Sequence, residues 1–248
     1  MNVRAVVVAS LSGRATQVER TIREMTNDTW NAVDRYFTDL LVQADPALDA
    51  AMEASEAAGL PGISVSPCMG KLLHLLTRMH RVRTILEIGT LGGYSTIWMA
   101  RALPADGRLL TLEADPKHAE IARSNIARAG VSHLVDVRLG PAIETLPRLE
   151  GEGASPFDMI FIDADKPSTP EYFGWALQLS RPGSLIIVDN VVRSGAIVDQ
   201  TSRDASVQGM RRFAAMLASE PRVSATAIQT VGGKGYDGFA LALVSSRL

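Results

Sequence analysis

The chain has 248 residues, of which 46% are hydrophobic and 21% are charged, and its formal net charge at pH 7 is −2. This composition is typical of a globular protein with a sizeable core, and it excludes a mostly disordered chain. A near-neutral chain also lacks the concentrated positive charge by which proteins bind nucleic acid, so we expect no nucleic-acid partner.

The single cysteine and the short apolar runs bear on where the protein works. Cys68 has no second cysteine with which to form an internal disulfide or a cysteine zinc site. A chain of this kind suits the reducing cytoplasm. The apolar runs all fall short of the roughly 20 residues that span a bilayer, so we expect no membrane partner.

The N-terminal third of the chain predicts a tail followed by three helices. We interpret residues 1–25 as a tail or arm and residues 26–248 as one domain. The capping signals Asp28-Thr29, Asp45-Pro46 and Ser66-Pro67 each precede an apolar stripe with helical spacing. We expect these stripes to pack in the core or to contact a second copy of the chain.

Beyond residue 83, short apolar runs alternate with helical patterns, which predicts strands buried on both faces and crossover helices between them. The strands predicted from these runs are Thr84–Ile88, Leu109–Leu112, Leu134–Val137, Met159–Ile162 and Ser184–Val188. Two further strand patterns cover Val223–Val231 and Gly238–Val244. The predicted helices cover 94–103, 116–129, 141–149, 170–180 and 206–219. Gly130 and Gly183 follow helical patterns closely enough to be interpreted as helix stops.

The connection between the last two strands decides their relative direction. A glycine-rich turn at 232–238 joins them and is too short for a crossover, so the two strands must be antiparallel. The predicted fold class is therefore α/β, with a seven-stranded, mostly parallel, doubly wound sheet and extra helices at the N-terminus.

A glycine loop, Gly89-Thr90-Leu91-Gly92-Gly93, joins the first predicted strand to a helix that starts at Tyr94-Ser95. Glycines allow the backbone to turn sharply and to approach a ligand closely, and the helix N-terminus offers free N–H groups. The spacing is neither that of a Walker A motif nor G-x-G-x-x-G. The loop alone is therefore compatible with a ligand site or with a simple tight turn.

Two acids refine the interpretation of this loop. Glu113 ends the second strand, 24 residues after Gly89, where an acid can accept hydrogen bonds from ribose hydroxyls. Glu87 precedes the glycines, and an acid there favours S-adenosylmethionine, with its cationic sulfonium and amino-acid tail, over a dinucleotide. The alternatives are a surface acid before a helix for Glu113 and a salt-bridged structural acid for Glu87.

Two further strands end in oxygen-bearing side chains on the same side of the sheet. Asp163 follows the fourth strand, and Asp189 and Asn190 follow the fifth. Such all-oxygen ligands suit Mg²⁺, Mn²⁺ or Ca²⁺ rather than zinc. The alternative is that Asp and Asn simply mark strand ends, as they often do. Two such ends, with Lys166 three residues after Asp163, favour the cation site over this alternative.

Three motifs in combination resemble a known enzyme family. They are the stretch from Leu86 to Ser95, the tetrapeptide Asp163-Ala164-Asp165-Lys166, and the pair Asp189-Asn190. From about Ile63 to its C-terminus the chain is similar to the cation-dependent class I O-methyltransferases, which include the catechol and caffeoyl-CoA O-methyltransferases. The resemblance implies a Rossmann-like sheet with strand order 3-2-1-4-5-7-6 and a homodimer.

The resemblance also implies a role for each matching residue. Val65, Glu87, Gly89, Thr90 and Ser95 would hold the methionine part of S-adenosylmethionine, Glu113 would hold its ribose, and Gly140-Pro141-Ala142 would lie beside adenine. Asp163, Asp189 and Asn190 would bind the divalent cation, with Asp163 or Asp165 also facing the cofactor, and Lys166 would be the catalytic base.

The expected activity is the transfer of a methyl group from S-adenosylmethionine to one hydroxyl of a vicinal-dihydroxy aromatic small molecule. A divalent cation, Mg²⁺ or else Mn²⁺ or Ca²⁺, would chelate both hydroxyls and favour loss of a proton. For Lys166 the alternative is a surface lysine that pairs with Asp163 or Asp165. Two other functions remain open at this stage: an NAD-type dehydrogenase on a similar sheet, and a non-catalytic protein that binds S-adenosylmethionine.

Overall fold

A computed structural model describes residues 27–245, and a seven-stranded sheet runs through this part of the chain. The strands are β1 (Thr84–Ile88), β2 (Arg108–Glu113), β3 (Val135–Leu139), β4 (Phe157–Ile162), β5 (Ser180–Asp189), β6 (Val223–Gly232) and β7 (Gly235–Val244). The tail predicted for residues 1–25 lies outside the described residues.

The order of the strands is β3-β2-β1-β4-β5-β7-β6, which confirms the topology that the family resemblance implied. Neighbours from β3 to β5 are parallel, whereas β7 is antiparallel to both β5 and β6. The antiparallel direction of β6 and β7, which the glycine-rich connection predicted, is therefore also confirmed. The carboxyl ends of β1, β2, β4 and β5 lie at one edge, where parallel sheets bind their ligands.

Helices connect the strands and extend the N-terminus. They are α1 (27–41), α2 (Pro46–Ala57), α3 (Pro67–Met79), α4 (Tyr94–Ala100), α5 (Pro116–Arg128), α6 (Ala142–Gly151), α7 (Thr169–Gln178) and α8 (Ala205–Ser219). Two short 3₁₀ helices, Lys166–Ser168 and Arg193–Val198, follow β4 and β5. Within the described residues, none of the helices combines the length and apolarity needed to span a membrane.

Helix capping follows the sequence signals at two of the three predicted starts. Asp45 and Ser66 accept hydrogen bonds from the first-turn amides of α2 and α3, and a proline follows each cap. The third prediction is wrong, because Asp28 and Thr29 lie inside the helix at 27–41 rather than before it.

The apolar side of α1 faces solvent in the single chain. Its exposed large side chains are Val33, Tyr36, Phe37, Leu40 and Leu41. Of the two roles expected for this stripe, packing in the core is therefore not found among the residues that the structure describes. A contact with a second copy of the chain stays a prediction.

The central strands are mostly apolar because the centre of the sheet is covered on both faces. In β4, Ile160 and Ile162 belong to the core on one side of the sheet, whereas Met159 and Phe161 belong to the core on the other. All four side chains are fully or almost fully buried. Alternate residues thus face opposite layers of helices, which explains why the sequence shows continuous apolar runs.

One of the two predicted helix stops is wrong. Gly130, with a φ of +74°, directly follows the C-cap of α5 as expected. Gly183 instead lies inside β5, because α7 already ends at Gln178. Ser184 holds this irregular start of β5 in the sheet, since its hydroxyl donates to the carbonyl of Phe157 over 2.6 Å and accepts the N–H of Arg181 over 2.9 Å.

The loop after β1 packs tightly against the end of β4. Gly89 has a φ of +99°, and a Cβ atom at this position would lie 2.1 Å from the carbonyl oxygen of Asp163. The N–H of Asp163 in turn donates to the carbonyl of Ile88 over 2.9 Å. Glycine is required here both for its backbone conformation and for its lack of a side chain.

We expect Gly89→Ala to destabilise the protein by about 2 kcal/mol or more, because the added methyl group meets backbone and the left-handed conformation disfavours alanine. Urea unfolding measures the change. Gly174→Ala is the matched control, since nothing lies within 4 Å of its Cβ position in α7. There the replacement should stabilise by up to about 1 kcal/mol. Equal stability of both variants would show that the Gly89 contact is unimportant.

Candidate cofactor and cation site

The glycine loop is held in place by the acid at the end of β2. Glu113 Oε2 accepts hydrogen bonds from the N–H groups of Thr90 and Leu91, at 3.2 and 2.7 Å. Its Oε1 accepts the N–H of Asp115 at 3.0 Å. The carboxylate is almost fully buried but lines the cavity beside the loop. The sequence predicts that this carboxylate also accepts hydrogen bonds from the ribose hydroxyls of a cofactor, and its place in the cavity wall is compatible with that role.

Glu87 lies behind the loop rather than in the cavity wall. It is fully buried, and its two carboxyl oxygens accept the hydroxyls of Ser95 and Thr96 at 2.6 and 2.5 Å. Burial raises the pKa of Glu87 to about 7, against the opposing effect of these hydrogen bonds. Because Ser95 donates its proton to Glu87, the lone pairs of its hydroxyl are left for a donor in the cavity, such as the ammonium of an amino-acid tail.

A first cavity, with a volume of about 590 Å³, brings most of the predicted residues together. Those in its wall are Val65, Gly89, Thr90, Ser95, Glu113, Ala142, Asp163, Asp165, Lys166 and Asn190. Glu87 and Asp189 are absent from this wall. A cavity with a glycine loop, the acid at the end of β2 and several further carboxylates fits a nucleoside cofactor that carries positive charge.

The tip of β4 carries a buried ion pair. Lys166 Nζ donates to Asp163 Oδ1 over 2.8 Å, and Lys166 is only 9% exposed. The pairing with Asp163 agrees with the alternative interpretation of this lysine, but its burial in the cavity wall does not, because that alternative required a surface position. Lys166 is therefore within reach of a ligand bound in this cavity.

Asp165 is turned away from the ion pair and is held by two donors. Tyr172 Oη donates to its Oδ1 over 2.5 Å, and the N–H of Ser168 donates to its Oδ2 over 3.2 Å. Burial raises the pKa of Tyr172, and the hydrogen bond to Asp165 adds to this effect. The tyrosine therefore keeps its proton and fixes Asp165 in the cavity wall.

The tip of β5 brings a second carboxylate next to the first. Ile162 pairs with Val188, so the residues that follow them, Asp163 and Asp189, occupy adjacent positions on parallel strands. Burial, together with the negative charge of neighbouring Asp163, raises the pKa of Asp189 to about 7. The N–H of Asn190 donates to Asp189 Oδ1 over 2.8 Å. Two neighbouring carboxylates that repel each other are a natural place for a cation.

A second cavity, of about 490 Å³, adjoins the first on the β5 side. Asp189 lines this cavity, and the residues common to both walls are Ile63, Ser64, Val65, Asn190 and Arg193. In the described part of the chain, no cluster of three or more His, Cys, Asp and Glu residues is suited to a metal ion. The donor set here has two carboxylates and one amide, and its hard oxygens fit Mg²⁺ or Mn²⁺, with open positions for a ligand.

Three residues of this region were missed or left unassigned by the sequence interpretation. His118 Nδ1 lies 3.6 Å from Glu113 Oε1 in the first cavity, and its position one turn into α5 was the only signal for it. Tyr172 lies in the wall of the first cavity and bonds to Asp165. Arg193 lines both cavities.

Comparison with known proteins adds an independent observation. A family model described as O-methyltransferase matches residues 41–243. A catechol O-methyltransferase of Niastella koreensis is 58% identical and aligns over 89% of this chain and all of its own length. An O-methyltransferase from Bacillus cereus in complex with SAH is 57% identical, with a TM-score of 0.87 over 88% of this chain and 99% of its own.

The O-methyltransferase TomG from Streptomyces achromogenes, in complex with SAM and involved in tomaymycin synthesis, is also similar. It is 57% identical, with a TM-score of 0.86, over 89% of this chain and 99% of its own. The Bacillus cereus and Streptomyces achromogenes structures are thus similar to this chain in both sequence and fold.

The buried carboxyl of Glu87 should make stability depend on pH. Its pKa is about 7 in the folded protein against an ordinary value of 4.5, so the folded state binds the proton more tightly. This group therefore lowers the stability as the pH rises from about 4.5 to about 7. We expect Glu87→Gln to gain about 2–3 kcal/mol relative to wild type between about pH 5 and about pH 8, as measured by urea unfolding without ligands.

The comparison with wild type removes the contributions of other groups that titrate in this range. Glu120→Gln, at an exposed position on α5, is the control for the substitution itself. A constant stability difference between Glu87→Gln and wild type across the pH range would contradict the prediction.

Proposed function

Because the chain belongs to the O-methyltransferase family, we propose that it methylates one hydroxyl of a vicinal-dihydroxy aromatic small molecule with S-adenosylmethionine as donor and a divalent cation held by Asp163, Asp189 and Asn190. The dependence on S-adenosylmethionine is common to the family's relatives in complex with SAM or SAH. Family membership argues against the alternatives of an NAD-type dehydrogenase and of a non-catalytic binding protein.

The observation that carries the proposal is the pairing of β4 with β5. It puts two carboxylates on adjacent strands, with Asn190 in the wall between the two cavities. The first cavity suits the cofactor and the second suits the methyl acceptor. A cation at their boundary would be next to both ligands, which supports a reaction between them.

The acceptor class is supported by the chemistry of this boundary. A divalent cation, when bound there, would hold two adjacent oxygens of the acceptor and favour loss of a proton from one of them. Vicinal hydroxyls on an aromatic ring match this requirement. The catechol O-methyltransferase of Niastella koreensis, with its high identity to this chain, supports the same class.

The residues of the chain position the reactants and move the proton. Ser95 and Glu113 orient the cofactor at its amino-acid and ribose ends, while the buried strands below exclude water. Lys166 Nζ, 2.8 Å from Asp163 Oδ1 and in the cavity wall, accepts the proton of the acceptor hydroxyl. The remaining step is displacement at the methyl carbon, which depends mainly on alignment.

Removal of divalent cations should abolish methyl transfer. We expect EDTA to stop turnover of catechol and added Mg²⁺ to restore it. Asp189→Asn should lower kcat/KM by more than about a hundredfold, because it removes one charged ligand. Asp106→Asn, an exposed acid before β2, is the control. Calorimetry should show SAH binding in EDTA, and a tight binding of NAD alone would refute the cofactor. Full activity in EDTA would remove the cation from the mechanism.

Replacement of the proposed base should slow the chemical step without weakening the binding of either ligand. We expect Lys166→Met to lower kcat by about 10²- to 10⁴-fold while KM and the Kd for SAH stay nearly constant. Lys166→Arg keeps the positive charge but cannot lose its proton, so it should be slow as well. Lys117→Met, at an exposed position on α5, is the control. A kcat equal to that of wild type would show that Lys166 is not the base.

A further inference from the structure

Arg193 occupies a strained turn between the two cavities. It follows Asn190 by three residues, and both Arg193 and its neighbour Ser194 have positive φ angles, of +55° and +54°. Residues with side chains rarely adopt this conformation, and such strain persists only where the surroundings impose it. Contacts with another part of the chain must therefore impose the conformation of this turn.

Asp237 on β7 imposes this conformation. Its Oδ1 accepts the N–H groups of both Val192 and Arg193, at 2.9 and 3.0 Å. The guanidinium of Arg193 is only loosely paired with the same carboxylate, since Nη1 lies 3.9 Å from Oδ2. The backbone of Arg193 is thus fixed, whereas the positive charge of its guanidinium has no close negative partner.

The guanidinium of Arg193 has an unused donor, although its side chain is about one-third exposed and lines the cavities. Arg193 Nε is buried and has no hydrogen-bond partner among the described residues. A buried donor without an acceptor is unfavourable, so its retention indicates that a ligand supplies the acceptor. A planar guanidinium beside a cavity is best matched by a carboxylate, which it can bind with two parallel hydrogen bonds.

The second cavity offers the rest of an acceptor site. Apolar side chains of Ile63, Met69, Leu72 and Phe239 form part of its wall and suit an aromatic ring. Its other basic residue, Lys234, donates to the carbonyl of Gly62 over 2.9 Å.

Two further acids of this wall are already engaged. Asp34 accepts the N–H of Gly233 at 2.7 Å, and Asp237 accepts two N–H groups. Asp189 belongs to the proposed cation site. The unsatisfied donor of Arg193 is therefore the group in this wall that most lacks a partner of opposite charge.

We propose that Arg193 binds an acidic substituent of the methyl acceptor, so that dihydroxy-aromatic acids are preferred over their neutral analogues. The inference rests on the proposed function, because it assumes that the second cavity takes the acceptor. The carboxylate of the cofactor's own amino-acid tail is the other possible source of the same chemistry, since Arg193 also lines the first cavity. The acceptor is favoured because Asp237, which anchors Arg193, lines only the second cavity.

The test compares 3,4-dihydroxybenzoate with 3,4-dihydroxybenzamide, which has the same shape without the charge. We expect wild type to prefer the benzoate in kcat/KM by about tenfold or more, and Arg193→Gln to lose that preference. Arg193→Lys should restore part of it, because the charge remains without the planar fork. The Kd for SAH should change by less than about twofold. Arg148→Gln, at an exposed position on α6, is the control.

Calorimetric titration of SAH-saturated protein with each compound, in the presence of Mg²⁺, gives a second readout that does not depend on turnover. The benzoate should bind more weakly to Arg193→Gln, and the benzamide should not. An unchanged benzoate preference in Arg193→Gln would overturn the inference. Weakened SAH binding with equal losses for both acceptors would instead assign Arg193 to the cofactor.

Failure of the proposed function would look different from failure of this inference. If wild type methylated neither compound nor catechol itself, the proposed acceptor class would be wrong. The binding titration would still decide whether Arg193 recognises the carboxylate. Circular dichroism of Arg193→Gln and Arg193→Lys establishes that both variants are folded before they are compared.

Discussion

The close packing of the β1 loop against the end of β4 is the constraint on which the rest of the site depends. The backbone of Gly89 meets the carbonyl of Asp163 with no room for a side chain between them. The wall of the cofactor cavity and the first carboxylate of the proposed cation site are therefore fixed to each other through backbone atoms. A methyl donor and an acceptor on either side of this junction would be held at a constant separation, as a displacement reaction requires.

The second general feature of the site is its concentration of buried negative charge. Glu87 is stabilised by two hydroxyls, and Asp163 by the ammonium of Lys166. Asp189 is largely buried next to Asp163 and accepts the N–H of Asn190. Since buried carboxylates are unfavourable unless they are compensated, this arrangement favours cationic ligands on both sides of the strand tips. A sulfonium cofactor and a divalent cation are chemically consistent with that requirement.

Much of the fold could be predicted from the sequence because the sheet is covered on both faces. The first five strands were found from short apolar runs, whereas β6, which is largely exposed, and β7 were found from further strand patterns, and their direction followed from their short connection. The strand order came from the family resemblance, since local patterns do not contain it. The start of β5 was misjudged because Ser184 joins it to β4 by contacts between distant residues.

The site was predicted less completely, because contacts between distant parts of the chain position some of its residues. The residues at the strand ends were identified because parallel strands deliver them to one edge. Glu87 is buried behind Ser95 by the packing of α4 over β1, and its expected contact with the cofactor stays a prediction. Arg193 was left unassigned because its conformation depends on Asp237, a residue 44 positions later in the sequence. Such long-range contacts leave no pattern in a single sequence.

The central claim is that oxygens of Asp163, Asp189 and Asn190 share one divalent cation at the junction of the two cavities. Anomalous diffraction from crystals grown with Mn²⁺ and SAH tests it most directly. We expect a single strong peak within about 2.0–2.6 Å of an oxygen from each of the three residues. Crystals that hold SAH but show no peak there, or a peak bound to other residues, would contradict the claim.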